Sequence, residues 1–505
     1  MYRLKIIRGF AAVCILVICA CNLISPLNSS REEKTTPKAQ ERDIQVLDVY
    51  KENLTSEYDP ILPEFQGATR YSIELTFGEE INHYSGHLQT AYTNQENISL
   101  DKIIFMLIPN TSGDYLKVNN IQVNSHPVSS EITFQNTVLE IHLAEPLKPE
   151  ESAEISMDFF GTVPQEMGGN YGLFIYQEEI LALDAFFPNI PVYDDEGWNV
   201  QDPPRNADLI FTDAAFFEVQ VDAPNDLVLV ASGNEVDRQL ENDRQIITFA
   251  GGPQRDFYLA ASSRFDSLNR QVGEIKVTSY YPKEFSQSGA LVLKTAAKAL
   301  QVFSKRYGTY PYKELDLVST PMQAGGMEYS GAAAMAVNLY GSGNNANGLS
   351  NSSFLEFAVA HEIAHQWFFN QVMNDQIDEP WLDEGFAQYL TYIYFLDTYG
   401  VEASDQILAS FGRYWAAVEK QAIPIGKPAG DYDSRQYAAI IYGRAPLFIL
   451  ELEKKMSPEV FTIFLADYIN RYRWKTANTT QFKSLAEEAC GCNLTSLFAD
   501  WWKFE

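Results

Sequence analysis

The sequence predicts a multidomain chain, β first and then α+β. An antiparallel β-sandwich-like domain spans residues 61–270, and a mainly helical domain spans residues 271–505. Two patterns carry this reading. From about Ala68 to Phe265, apolar residues alternate with polar ones, the period of half-buried strands. After Tyr281-Pro282 the period changes to that of helices. A third observation puts chemistry in the second domain: His361-Glu362-Ile363-Ala364-His365, followed by Glu384.

Residues 1–21 read as an export signal. Arg3, Lys5 and Arg8 precede an apolar run from Gly9 to Ala20 that ends at Cys21. Ile18-Cys19-Ala20-Cys21 resembles a bacterial lipobox, which would make Cys21 a lipidated membrane anchor, although Cys19 is an unusual occupant of its position. The competing reading is an uncleaved anchor, for which the run to Ile24 falls short of the ~20 apolar residues a span needs. Both readings put the bulk of the protein outside the cytoplasm. Residues 22–60, rich in Ser, Lys, Glu, Thr and Pro, read as a flexible tether. The balance of 37 basic and 67 acidic residues gives a net charge of −30. That excludes nucleic acid as a partner, because nothing would neutralise its phosphates.

Within the β domain Tyr71, Ile73, Leu75 and Phe77 alternate, as do Leu139, Ile141 and Leu143, and Phe217, Val219 and Val221. Turn signals at Pro109-Asn110, Ser112-Gly113 and Ser232-Gly233 separate such runs. His83, His87, His126 and His142 fall here without ligand spacing and read as surface or cross-strand residues. In the second domain, Gly289–Tyr307 reads as a helix closed by Gly308, and Leu315–Thr320 as a short strand. Cys490 and Cys492 leave two options open, free thiols or an atypical bridge.

Ser353-Phe354-Leu355-Glu356 reads as a capping box that opens a helix from Phe354 to about Phe369. Histidines four apart on a helix lie about 40° from each other around its axis, so both imidazoles can reach one ion. A second helix, from about Trp381 to Tyr399 with Gly400 past its end, carries Glu384 in its first turn. Two His and one Glu give a zinc three protein ligands and leave a fourth position open, as catalytic sites do. One Zn²⁺ per chain is expected. Glu362 stands beside the ion without ligating it. Asp383 either orients a ligating His or complements the dipole of its own helix.

Gly325-Gly326-Met327-Glu328-Tyr329 lies upstream of this motif, and Tyr442-Gly443-Arg444-Ala445 downstream. With Trp381-Leu382-Asp383-Glu384-Gly385-Phe386-Ala387, these blocks resemble the aminopeptidase N family of gluzincin metallopeptidases in order and separation. Asp184-Ala185-Phe186-Phe187-Pro188 and Arg255-Asp256-Phe257 extend the resemblance into the β domain. It implies a thermolysin-like catalytic domain and peptide substrates with a free N-terminus. It also implies roles: His361, His365 and Glu384 bind zinc, and Glu362 is the general base. Glu328, within the Gly325–Glu328 substrate-binding block, holds the α-amino group, and Tyr442 steadies the tetrahedral intermediate. Pro446 cannot donate to the carbonyl of residue 442 and should break the helix there. Tyr329 stands where Asn is usual, Gly326 where Ala is more frequent, and Arg444 where Lys is common. Apart from the resemblance, Glu328 reads as a solvated strand-edge acid and Tyr442 as core. Two other functions stay open, a zinc endopeptidase and a non-catalytic binding protein on a peptidase scaffold.

Overall fold

The computed structural model describes residues 47–200, 204, 211–344 and 349–502. Residues 1–21, read above as an export signal ending in a lipobox, lie outside the described residues. In the Arg70–Phe77 strand, Tyr71, Ile73, Leu75 and Phe77 are buried while Ser72, Glu74 and Thr76 are exposed. A register slip of one residue would turn all four apolar side chains to water, so the alternation fixes the pairing. This strand lies inside an eight-stranded sheet. It pairs antiparallel with His83–Thr93 and parallel with Ala215–Pro224, the one parallel pair in that sheet. His87 faces Asp158 across two strands, with Nδ1 2.7 Å from Oδ1. Ile103, Phe105, Leu139 and Ile141, from a three-stranded sheet, share one core with Ile73, Leu75, Met157 and Val219.

A four-stranded sheet divides the interior. Its strands run Val228–Ala231, Leu259–Ser262, Ile180–Leu183 and Phe174–Gln177. Leu181, Leu183, Leu229 and Leu259 belong to the β-domain core, whereas Ile180, Ala182, Val230 and Ala260 belong to the core of the second half. Burial on both faces explains why Ile180–Leu183 and Val228–Ala231 are apolar throughout.

The second half is built on a five-stranded mixed sheet. Its order is Phe265–Val272, Ile275–Pro282, Glu314–Thr320, Ala332–Ala336 and Gly326–Tyr329, so the last is an edge strand. This sheet begins at Phe265, a few residues ahead of the expected boundary. Nine α-helices follow among the described residues: α1 Ser286–Tyr307, α2 Asn351–Ala364, α3 Phe386–Tyr399, α4 Val401–Ala416, α5 Ser434–Ala439, α6 Ala445–Met456, α7 Pro458–Tyr472, α8 Thr479–Cys490 and α9 Thr495–Trp501. Gly308 (φ 109°) and Gly400 (φ 88°) end α1 and α3 as expected, since a left-handed residue costs glycine least. Cys490 and Cys492 are bridged around Gly491, the left-handed residue that closes α8.

Two expectations are corrected. The tether does not extend to residue 60, because 3₁₀ turns at Leu47–Glu52 and Asp59–Phe65 pack into the protein. Leu47, Tyr50, Leu54, Tyr58 and Leu62 recur every three or four residues and are all buried. Backbone bonds from Thr55 to Pro311 O and from Lys313 to Asn53 O tie the strap to the second half. The other correction concerns α2. Its cap is Ser350, whose side chain accepts the N–H of Ser353, and the helix ends at Ala364 rather than near Phe369.

Candidate metal centre

Helix α2 presents His361 in its last turn and His365 at its C-cap, and the chain returns to place Glu384 against both. His361 Nε2 lies 3.2 Å from His365 Nε2 and 3.0 Å from Glu384 Oε2, and His365 Nε2 lies 3.5 Å from the same oxygen. A tetrahedral Zn²⁺ with bonds of ~2.0–2.1 Å has ligand–ligand edges of about 3.3 Å, so the three atoms fit one such ion. His365 Nδ1 stands 3.1 Å from the Phe368 carbonyl. That bond orients the ring so that Nε2 is the nitrogen turned to the cluster. Burial works to raise the Glu384 carboxyl, but the hydrogen bonds and charges of His361 and His365 outweigh it and hold the group ionised. Burial lowers His361. It opposes a charge on His365 too, but there Glu384 prevails and raises the ring to about 9.

Glu384 and Tyr442 both ride on turns of π-helix, Trp381–Gly385 and Ile440–Arg444. The second turn runs without a break into α6, which has Pro446 in its first turn, so the missing N–H accompanies a widened turn and not the expected break. The Tyr442 hydroxyl donates to Glu384 Oε1. Burial, then the Glu384 charge, push its phenol far above the ordinary value, so it remains a donor. Tyr171, on a turn from the β domain, adds in the same direction. Asp383 accepts the N–H of Glu384 at 2.6 Å and the Asn374 amide at 3.1 Å. It fixes the approach to the ligand turn.

The Gly326–Tyr329 edge strand lies beside α2 and brings Glu328 into the cluster. Glu328 is 5% exposed, so the reading as a solvated acid fails. Ligand atoms of Glu328, Glu362 and His365 all lie within 4.8 Å of one another. Gly326 makes room for Glu362, because a Cβ there would lie 2.5 Å from Glu362 Oε1. Gly325 packs against Phe354, and Met327 is buried. Tyr329 stacks on Tyr258 with centroids 4.0 Å apart, and its carbonyl receives Gln366 Nε2 at 2.9 Å and Asn370 Nδ2 at 3.2 Å. Gln366 and Asn370 were not legible as supports from residue type alone. Nor was Arg255, buried with its guanidinium 4.4 Å from the Phe369 ring centre and bonded to Asn374 O at 2.6 Å. Its one signal was the Arg-Asp-Phe block.

Two histidines from one helix, a glutamate from the next, a second glutamate beside the first histidine and a phenol opposite define a gluzincin-type metallohydrolase centre. Residues 291–501 match the Peptidase family M1 domain. Aminopeptidase M1 of Arabidopsis thaliana is 23% identical over 481 residues, covering 88% of this chain and 51% of its own length. Aminopeptidase N of Homo sapiens is 23% identical over 386 residues, covering 68% and 37%. The chain thus spans about half the length of the curated relatives it matches first. Among solved structures, the M1 zinc metallopeptidase from Deinococcus radiodurans superimposes with a TM-score of 0.61 at 20% identity, over 86% of this chain and 94% of that one. A mutant of that enzyme bound to Tyr-ser-ala substrate superimposes at 0.62, over 87% and 95%. Residues 291–501 thus match a peptidase family M1 domain, and the chain has the fold of the two-domain zinc metallopeptidases it superimposes on. That domain match implies a zinc cofactor, which the three-atom cluster fits.

Proposed function

We propose that this chain is a zinc-dependent aminopeptidase that removes N-terminal residues from peptides outside the cytoplasm. The carrying observation is the shared cluster: His361, His365 and Glu384 converge on one point, with Glu362 and Glu328 against the same His365. His361, His365 and Glu384 hold one zinc, which when bound acidifies a water to a pKa of roughly 7 and polarises the scissile carbonyl. Glu362, beside this position, takes a proton from the attacking water and passes it to the leaving amine. Tyr442, held protonated by burial and by Glu384, donates to the oxyanion. The Gly325–Glu328 segment offers its strand edge to the substrate backbone. Glu328 pairs with the substrate's α-ammonium and so sets cleavage one residue from the N-terminus. In this reading residues 61–270 form the β domain and residues 271–505 the catalytic domain, and the signal at residues 1–21 exports the chain with Cys21 as its lipid anchor.

The test is Glu328→Ala. A charge-assisted contact of roughly 1.5–3 kcal/mol predicts a loss of about ten- to a hundredfold in kcat/KM on free-amine substrates, with zinc content unchanged. N-acetylated peptides should be poor substrates of the parent and gain nothing from the change. Equal cleavage of blocked and free peptides by the parent would establish an endopeptidase instead.

A further inference from the structure

The two π-turns that carry Glu384 and Tyr442 are held from behind by one element, helix α9 with Trp502 at its C-cap. Arg444 closes the Tyr442 turn and is buried. Its Nη1 donates to Ile423 O at 2.7 Å and Trp501 O at 3.1 Å, and its Nη2 donates to Asp500 O at 3.4 Å. Its guanidinium lies 4.6 Å from the centre of the Trp501 ring. Asp500 and Trp501 end α9, where the last carbonyls have no donors within the helix. A cation there meets both the unpaired oxygens and the negative end of the helix dipole. A lysine ammonium could not reach these carbonyls with the same planar fork, which gives the departure at Arg444 a physical reason.

Trp381 opens the Glu384 turn, and its ring meets Trp502 edge-on at 4.8 Å. Trp502 also packs on Phe448 and Phe498, at 4.9 and 5.0 Å. Gly426 admits it, because a Cβ there would lie 1.7 Å from the indole Nε1. The Glu384 turn also packs on the start of α6, directly after the Tyr442 turn, since a Cβ on Gly385 would lie 3.1 Å from that of Ala445. A π-turn holds one residue more than an α-turn. Relaxation to α-helix would shift the register by one residue and swing the side chains by about 100° around the axis. Both reaching side chains therefore need their turns held.

We propose that α9 is a brace for the metal centre: Arg444 is a positioning residue that acts through Tyr442, and Trp502 is one that acts through Trp381 on Glu384. Neither touches the reacting atoms. The Tyr442 half rests on the aminopeptidase reading, whereas the Glu384 half needs only zinc binding. The experiment uses the full-length zinc-loaded protein and reads kcat and KM beside zinc affinity by chelator competition. Arg444→Met should lower kcat on a free-amine substrate by about tenfold or more, the usual effect of a lost supporting contact, with KM nearly unchanged. That loss should vanish in a Tyr442→Phe background. Trp502→Leu should weaken zinc affinity by about tenfold, and Trp502→Phe should restore most of it. Ile73→Ala, in the β-domain core, should lower the melting temperature and leave zinc affinity intact. Unchanged zinc affinity in Trp502→Leu, or an Arg444→Met loss of equal size in both backgrounds, overturns the proposal. A parent without aminopeptidase activity defeats the functional reading alone, and the zinc affinity of Trp502→Leu then decides the brace.

Discussion

Asp316 sits buried in the Glu314–Thr320 strand, away from the metal ligands in sequence and outside their cluster. Burial and the Glu314 charge push its carboxyl from 3.8 up to about 8, with Lys276 and Thr278 only partly opposing them. Between those values the folded chain keeps a proton that the unfolded chain releases. Stability from this group is therefore complete below about pH 4 and is lost as pH rises toward 8. A gap of about four units at 1.36 kcal/mol each sets an upper bound of roughly 5–6 kcal/mol. Local relaxation and water entry reduce this to roughly 2–4 kcal/mol. Asp316→Asn removes the titration and keeps the shape. At about 2.1 cal/mol/K per residue, a chain this long gains about 1 °C per kcal/mol. Relative to the parent, the variant's melting temperature should thus climb by about 2–4 °C between pH 4 and pH 8.5. Calorimetry across a pH series reads this directly. A variant-to-parent difference that is flat with pH, or that grows toward acid, would refute the reasoning.

Glu362→Gln should retain its zinc, because the residue is not one of the three converging ligands, and should lose about 10²–10⁴-fold in turnover. Metal analysis beside kcat checks both halves, and near-normal turnover would move the base elsewhere. Cys21→Ala should abolish acylation and partition into detergent. Mass spectrometry that finds an intact Met1 on the parent would favour an uncleaved anchor.

The strand period was legible because the Arg70–Phe77 face is half wet, and the metal centre because His361, Glu362, His365 and Glu384 have chemistry tied to spacing. Less was visible in the second-half sheet, where one strand was expected and five are present. Ala332-Ala333-Ala334-Met335-Ala336 favours a helix on local propensity, and only pairing on both sides makes it a strand. The strap at residues 47–65 was hidden by the polar composition upstream, although its buried residues recur every three or four positions. The start of α2 was misplaced by three residues because Ser350, Ser352 and Ser353 can each cap, and sequence does not choose among them. Glu328 could not be told from a surface acid until the edge strand was placed against α2.

The four-stranded dividing sheet has a consequence for modularity. Its alternate residues serve two interiors, so neither half owns the wall between them. A fragment starting at residue 271 would leave one face of its core open where Ile180, Ala182, Val230 and Ala260 now close it. It would also lose most of the Phe265–Val272 strand and the strap over Tyr312. Swapping the β domain for that of another enzyme would meet the same obstacle, because the incoming wall must fit a peptidase interior it has never packed against. A change of volume at one wall strand is therefore felt in the interior its side chain faces, whichever half the strand is counted with.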